Sequence, residues 1–328
     1  MIPGGNAWEA LDQAVAGTNV PLWNGSFSVN GKTFPFVMVG TDPAAGSATS
    51  TIPVVIVPIR FVFPGGAALS ASDPVCGGAE SAVALATSSP LFQDFPFAPG
   101  GTDVGTTQYV DAFQRANFWS DVSIASPDYH VLLSASVAPT QTVRVPLFRG
   151  SMHAGPCARI GMVGMNFFDA QARAMIARLG IPRTSLTVFL AYNTFLTQLG
   201  QCCVLGYHSA TLSGQTYAVA VYNDPGIFNR PIEDIHALSH ELAEWLNDPF
   251  GSNVTPGWRA GQSQHCQFNL EVGDPVTGTA VPATLDGVTY HPEDLVFLSW
   301  FARESPSSAV NGWYTFANTF TTPAAPCP

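Results

Sequence analysis

The chain has 328 residues, of which 46% are hydrophobic and only 11% charged, with a formal net charge of −11. Its cations are eleven arginines and the single Lys32, which speaks against nucleic acid and against a polybasic membrane-surface protein, since binding phosphate needs clustered Lys and Arg. That much apolar material supports one large domain or two modest ones, and no uninterrupted apolar run reaches the length of a membrane-spanning helix.

The first fifteen or so residues carry no clear pattern. SFSVNGKTFPFVMVG then alternates around Asn30-Gly31, a strong hairpin signal. IPVVIVPIRFVF follows and reads as a buried central strand, interrupted by Pro53, Pro58 and Arg60. A short helix is expected within residues 81–92, and a second over residues 106–119, where Tyr109, Phe113 and Phe118 recur at helical spacing. YHVLLSASVAP and TVRVPLF read as strands. Residues 166–179 are predicted helical, with Asp169 near the start and Gly180 and Pro182 at the stop. SLTVFLAYNTF and TYAVAVYN are further strands. A helix is then predicted over residues 231–247: Pro231 suits a first turn, Glu233 and Asp234 suit its positive end, and Asp248-Pro249 and Gly251 stop it. Beyond it the chain is loop-rich until HPEDLVFLSWFA, which has a helical pattern over residues 292–302.

Six cysteines, Cys76, Cys157, Cys202, Cys203, Cys266 and Cys327, form no CxxC pair. That disfavours a Cys-based zinc site and fits disulfides in an oxidising compartment. Pairings that join the neighbours Cys202 and Cys203 are set aside as strained, and nothing in the sequence chooses among the rest. The opening MIPGGN has neither the basic nor the apolar region of a signal peptide, so a secreted form would have lost its signal. Secretion, to the extracellular space or the periplasm, is the expected localisation.

The chemistry concentrates in DIHALSHELAEWLNDP. Four of the eight glutamates lie between Glu233 and Glu271, and two of the seven histidines lie in this helix. Residues four apart on a helix differ by about 40° in direction and about 6 Å in rise, so His240 and Glu244 can hold one cation between them. Glu241, about 100° round from His240, can reach a water on that cation and act as general base. Zn²⁺ accepts Asp or Glu oxygen as well as His nitrogen. A second carboxylate makes the site more negative and softens its preference for zinc over Mn²⁺ or Ca²⁺. His236, four before His240, extends the stripe. A His236/His240 pair would also grip a metal, but Ala237, Leu238 and Ser239 between them offer no proton acceptor. His236 is therefore expected to support the ligands or contact substrate. Downstream, CQFNLEVGDP supplies Glu271 as the expected third ligand and Asp274 as a carboxylate that orients a His. Asp274 as the ligand is the alternative, and His265 and Asp248 are weaker candidates.

SHELAEWLNDP followed by NLEVGD resembles a divergent zincin metallopeptidase of the gluzincin type, in which a helix His-Glu pair is completed by a later Glu. The resemblance covers residues 231–275, and Glu244 departs from it, standing where the family has His. SHELAE…DP…W…E-V-x-D, with Trp258, is also similar to the secreted exordium, or phosphate-induced, group. The zincin resemblance implies an α/β (α+β) fold with a mixed sheet and an active-site helix at the base of a cleft. It places residues 1–249 in an upper α/β subdomain ending in that helix, and residues 250–328 in a loop-rich subdomain that completes the site. It also implies Tyr290 or His291 as donors to a developing oxyanion.

Rival schemes are weaker. There is no G-x-S-x-G elbow, GGTDVG lacks the G-K-[ST] of a phosphate loop, and Cys266 beside His265 is expected to be bridged. The expectation is a monomeric, secreted, zinc-dependent hydrolase of peptides or proteins. Its rival is a non-catalytic secreted protein, binding cell-wall material or another protein, whose cluster holds a structural cation.

Overall fold

A computed structural model describes residues 19–259 and 265–327; the first fifteen residues lie outside that range. The fold is a mixed α/β arrangement built on a sheet of seven strands. Its spine is the strand Thr49–Val62. On one side this strand pairs in parallel with His130–Val137 and Gln141–Arg144, and on the other with Leu186–Tyr192. Thr216–Tyr222 continues the parallel order beyond Leu186–Tyr192, and Gly206–Ala210 closes that side as an antiparallel edge strand. All seven residues of Leu186–Tyr192 and of Thr216–Tyr222 are buried, as expected of parallel strands covered on both faces.

Two helices provide the cover beside the edge strand. Alternation along that strand places them on opposite faces. The Tyr207 hydroxyl donates to Asp169 of the helix Met165–Leu179, while His208 reaches Glu241 of the helix His236–Asn247. The first of these helices docks through Phe168 onto Phe61 and Phe189 and ends where Gly180 takes a left-handed conformation, φ 62°. The second, the motif helix, packs against Thr216–Tyr222 and the edge strand. Eleven of its twelve residues are buried, so its polar stripe is as enclosed as its apolar one. The helix Tyr109–Asn117 packs between His130–Val137 and the motif helix.

The Asn30-Gly31 hairpin forms as expected, between Leu22–Val29 and Lys32–Val39, with both turn residues at positive φ. A second sheet orders Gln201–Val204, Thr194–Gln198, Ile160–Gly164 and Gly150–His153. The segment after residue 249 is loop-rich, yet Trp258, Leu270, Val272, Val296 and Phe297 join the same hydrophobic cluster as Val219 and Leu242. It shares the core of the preceding part and does not build its own.

Three expectations are corrected. The motif helix begins at His236, not at Pro231. Asp234 takes a left-handed φ of 47° and donates its N–H to Asn223 O, a bridge that precludes helix there. Of the helix expected over residues 292–302, only Leu298–Phe301 is helical. The preceding N–H groups are taken elsewhere: Glu293 donates to Ser239 Oγ, Asp294 to Thr279 O and Val296 to Val272 O. All six cysteines pair, as Cys76–Cys157, Cys266–Cys327 and Cys202–Cys203. The last is the pairing of neighbours expected to be excluded as strained, and the peptide between these two residues is cis.

Leu242 is fully buried beneath the sheet. Leu242→Ala is expected to destabilise the protein by about 2–5 kcal/mol in a urea titration followed by tryptophan fluorescence. A loss below about 1 kcal/mol would mean that the motif helix does not depend on this face.

Candidate metal centre

The motif helix turns His236, His240, Glu241 and Glu244 toward the segments that return from residues 271–294. His240 is held hardest. Its Nδ1 donates to Glu293 Oε2 at 2.5 Å, so Nε2 is the ring nitrogen that gives up its proton when a cation binds. Nε2 faces Glu244 Oε1 at 3.0 Å and Asp274 Oδ1 at 3.8 Å. Glu293 is fully buried; its Oε1 accepts from Gly278 N at 3.1 Å and lies 3.4 Å from His236 Nε2. A carboxylate bonded to one nitrogen of an imidazole whose other nitrogen faces the site is the usual support of a metal-binding histidine.

Glu244 is fixed by backbone. Its Oε1 accepts from the N–H groups of Gly273 and Asp274 at 3.2 and 3.3 Å. Gly273 is required for this approach, because a Cβ there would press into the His240 ring, 2.7 Å from Cε1. The sequence EVGD therefore works as a clamp. Its glycine slides under His240, its backbone holds Glu244, and its two acidic residues stand on different sides of the Glu244 carboxylate.

Asp274 is on the His240 side. Glu271 is on the other, where His208 enters from the edge strand. His208 Nε2 donates to Asp248 O at 2.9 Å. Its Nδ1 lies 3.4 Å from Glu241 Oε2 and 3.6 Å from Glu244 Oε2, and Glu271 Oε2 is 3.9 Å from Nε2. Gly206, two residues earlier on the strand, has no side chain because Glu241 fills the place: a Cβ would stand 2.5 Å from Oε1. Two groups of donors result, each with its atoms within 4.8 Å of one another: His240, Glu241 and Glu244, and His208, Glu244 and Glu271. Glu244 belongs to both.

Carboxylates outnumber imidazoles in this enclosed space, and the titration behaviour reflects it. Burial would lower the His208 pKa, but Glu271, Glu241 and Glu244 raise it to about 10. His240 is likewise raised against burial, by Glu244 and Glu293. Burial and the neighbouring Glu244 charge raise Glu271 to about 7, and burial with the Glu271 charge raises Asp248 to about 7. Glu293 moves the other way: burial would raise it, but His240 and His236 bring it down to about 2. Left to itself, the cluster relieves its charge by holding protons. A divalent cation relieves the same charge and displaces them.

The donor chemistry fits such a cation. Zn²⁺ takes imidazole nitrogen and carboxylate oxygen at about 2.0–2.2 Å, which separates neighbouring ligand atoms by roughly 3.3 Å. Glu241 Oε2, Glu271 Oε2 and His236 Nε2 are buried without any hydrogen-bond partner, which native interiors seldom leave unexplained. The cluster opens onto a cleft of about 200 Å³ lined by Gly206, His236, His240, Glu241, Asp274 and Glu293.

Of the residues named from sequence, His236, His240, Glu241, Glu244, Glu271 and Asp274 converge here. Asp274 does not orient a histidine; Glu293 does, and Asp274 faces His240 Nε2 in the position foreseen for Glu271. Tyr290 and His291 do not line the cleft. His291 Nδ1 pairs with Asp234 at 2.7 Å and lies 3.3 Å from Glu233, ahead of the motif helix, and Tyr290 is buried. The Asp248 carboxylate accepts from Ser252 and Asn253 N–H, closing the helix end. His265 belongs to neither donor group among the described residues. Sequence reasoning missed His208 and Glu293. The only local signal for His208 is a histidine in a strand, and Glu293 stands at the start of the helical pattern expected over residues 292–302, where the helix begins only at Leu298. Comparisons with protein-family models, curated proteins and solved structures find no match to this chain.

Glu293→Gln removes the anion that fixes His240. Zinc affinity, measured by competition with a chromophoric chelator, is expected to fall about 10–100-fold with the far-ultraviolet circular dichroism unchanged. An affinity equal to wild type would show that Glu293 does not support a metal ligand.

Proposed function

We propose that the chain is a secreted metal-dependent hydrolase, a zinc peptidase in its most economical form. One observation carries this reading: His240, locked by Glu293, turns Nε2 toward Glu244 and Asp274 at the floor of a cleft that also contains Glu241. His240 Nε2, Glu244 and Asp274 would hold the cation. When bound it would polarise a carbonyl and acidify a water.

The chain's own residues divide the remaining work. Glu241 Oε1 lies beneath Gly206 on the cleft wall, in position to take a proton from the attacking water and pass it to the leaving amine. Burial raises the pKa of Glu241, which makes it a stronger base than an exposed carboxylate. His236 lines the same cleft and is better placed than Tyr290 or His291 to contact substrate. The strand Gly206–Ala210 has no strand beyond it among the described residues, and its start forms the cleft rim. An open edge accepts an extended peptide through main-chain hydrogen bonds, which favours a polypeptide substrate. Three disulfides support an oxidising compartment.

A second reading is supported by the enclosure of the cluster. Glu241 is only 4% exposed, and a cation so buried could serve structure alone. Glu241→Gln separates the two. With zinc loaded, hydrolysis of a mixed peptide library followed by mass spectrometry is expected to fall about 10²–10⁴-fold, while the zinc at His240 stays bound. Wild type and variant equally inert would favour the non-catalytic reading.

A further inference from the structure

We propose that the cluster is built for two divalent cations, the second seated between His208, Glu241, Glu244 and Glu271. The inference rests on the metal-site reading above and extends it to the other side of the Glu244 carboxylate. His208 donates Nε2–H to the carbonyl of Asp248, so Nδ1, which faces inward, is the nitrogen that loses its proton when a cation binds. There it meets Glu241 Oε2 at 3.4 Å and Glu244 Oε2 at 3.6 Å. These separations are long for hydrogen bonds, but they match the roughly 3.3 Å between neighbouring ligand atoms around a small divalent ion.

Two further observations point to an occupant. Glu241, 4% exposed, leaves Oε2 without a hydrogen-bond partner and directs it at this space. Glu271 Oε2 is also buried and without a hydrogen-bond partner, 3.9 Å from His208 Nε2, and Glu271 offers a ligand atom within 4.8 Å of those of His208 and Glu244. Neither orphan is explained by the first position, which uses His240 Nε2, Glu244 Oε1 and Asp274. Glu244 connects the two. Its Oε1 faces His240 and its Oε2 faces His208, the arrangement of a carboxylate that bridges two ions. Ions bridged in this way sit about 3.5–4 Å apart and together clamp the attacking and leaving atoms of a hydrolysis. The second position would therefore complete a two-ion centre. Glu241 would contact it through Oε2 while keeping Oε1 toward the cleft.

The experiment counts zinc. Wild type, His208→Gln and Glu271→Gln, each full-length and with disulfides intact, are dialysed to equilibrium against zinc chloride and analysed by mass spectrometry for bound metal. Circular dichroism tests that each variant is folded. Two zinc ions per wild-type chain, and one per chain in whichever of the variants folds, are expected. Two ions in the wild type and two in a folded variant would overturn the proposal, because the second ion would lie elsewhere. A single ion in the wild type would also overturn it and leave His208 as a counter-ion to the carboxylates, with the site at His240 intact if His240→Gln then binds none. No ion in the wild type would instead remove the metal-site reading itself.

Discussion

The hydrogen bond from His240 Nδ1 to Glu293 is the interaction on which the candidate site depends. It joins the motif helix to a segment 53 residues further along the chain and decides which ring nitrogen faces the cleft. That anion holds Nδ1–H and, with Glu244, raises the His240 pKa against burial, so Nε2 is the nitrogen of this carboxylate–imidazole unit that faces Glu244 and more negative charge. Such a unit is at ease only with a proton or a cation between it and Glu244. The fold enforces the arrangement from three directions, through Glu293, through the Gly273 backbone and through the packing of the helix on the sheet.

The same geometry explains why the loop-rich part of the chain cannot be a separate module. Val272, Leu295, Val296 and Phe297 are buried in the common core, and Val296 N donates to Val272 O. The residues that hold Glu244 and His240 are thus anchored by apolar burial a few positions away. Burial of a polar cluster this dense is unfavourable unless every charge is matched. The hydrophobic anchoring of the flanking residues supplies the free energy that keeps the cluster closed. A site so held is pre-formed, which suits a metal centre and limits the motion available for admitting substrate.

Much of the candidate site was legible in the sequence because it is local. His236, His240 and Glu244 follow from helical spacing alone, and Glu241 from its offset within that spacing. The hairpin at Asn30-Gly31, the strands and the end of the helix at Gly180 are also short-range signals, each carried by one or two residues. His208 and Glu293 were not legible, because nothing local distinguishes them. One sits in an unremarkable strand and becomes a neighbour of Glu241 only when that strand pairs at the sheet edge. The other follows a proline and precedes an aspartate, the ordinary signature of a helix start, and tertiary hydrogen bonds from the Glu293 and Asp294 N–H groups to Ser239 and Thr279 override that local preference. Glu271 and Asp274 were read as a pair with the right chemistry, but the turn at Gly273 sends them to opposite sides of Glu244, and no spacing rule specifies that turn.

The central claim is that this cluster holds a cation and is not a proton-balanced core. Anomalous diffraction at the zinc edge, from crystals grown with zinc, tests it most directly. The expected result is an anomalous peak about 2.1 Å from His240 Nε2 and within bonding distance of Glu244. Crystals that diffract well, show His240 and Glu244 in direct contact and carry no peak at the cluster would contradict it.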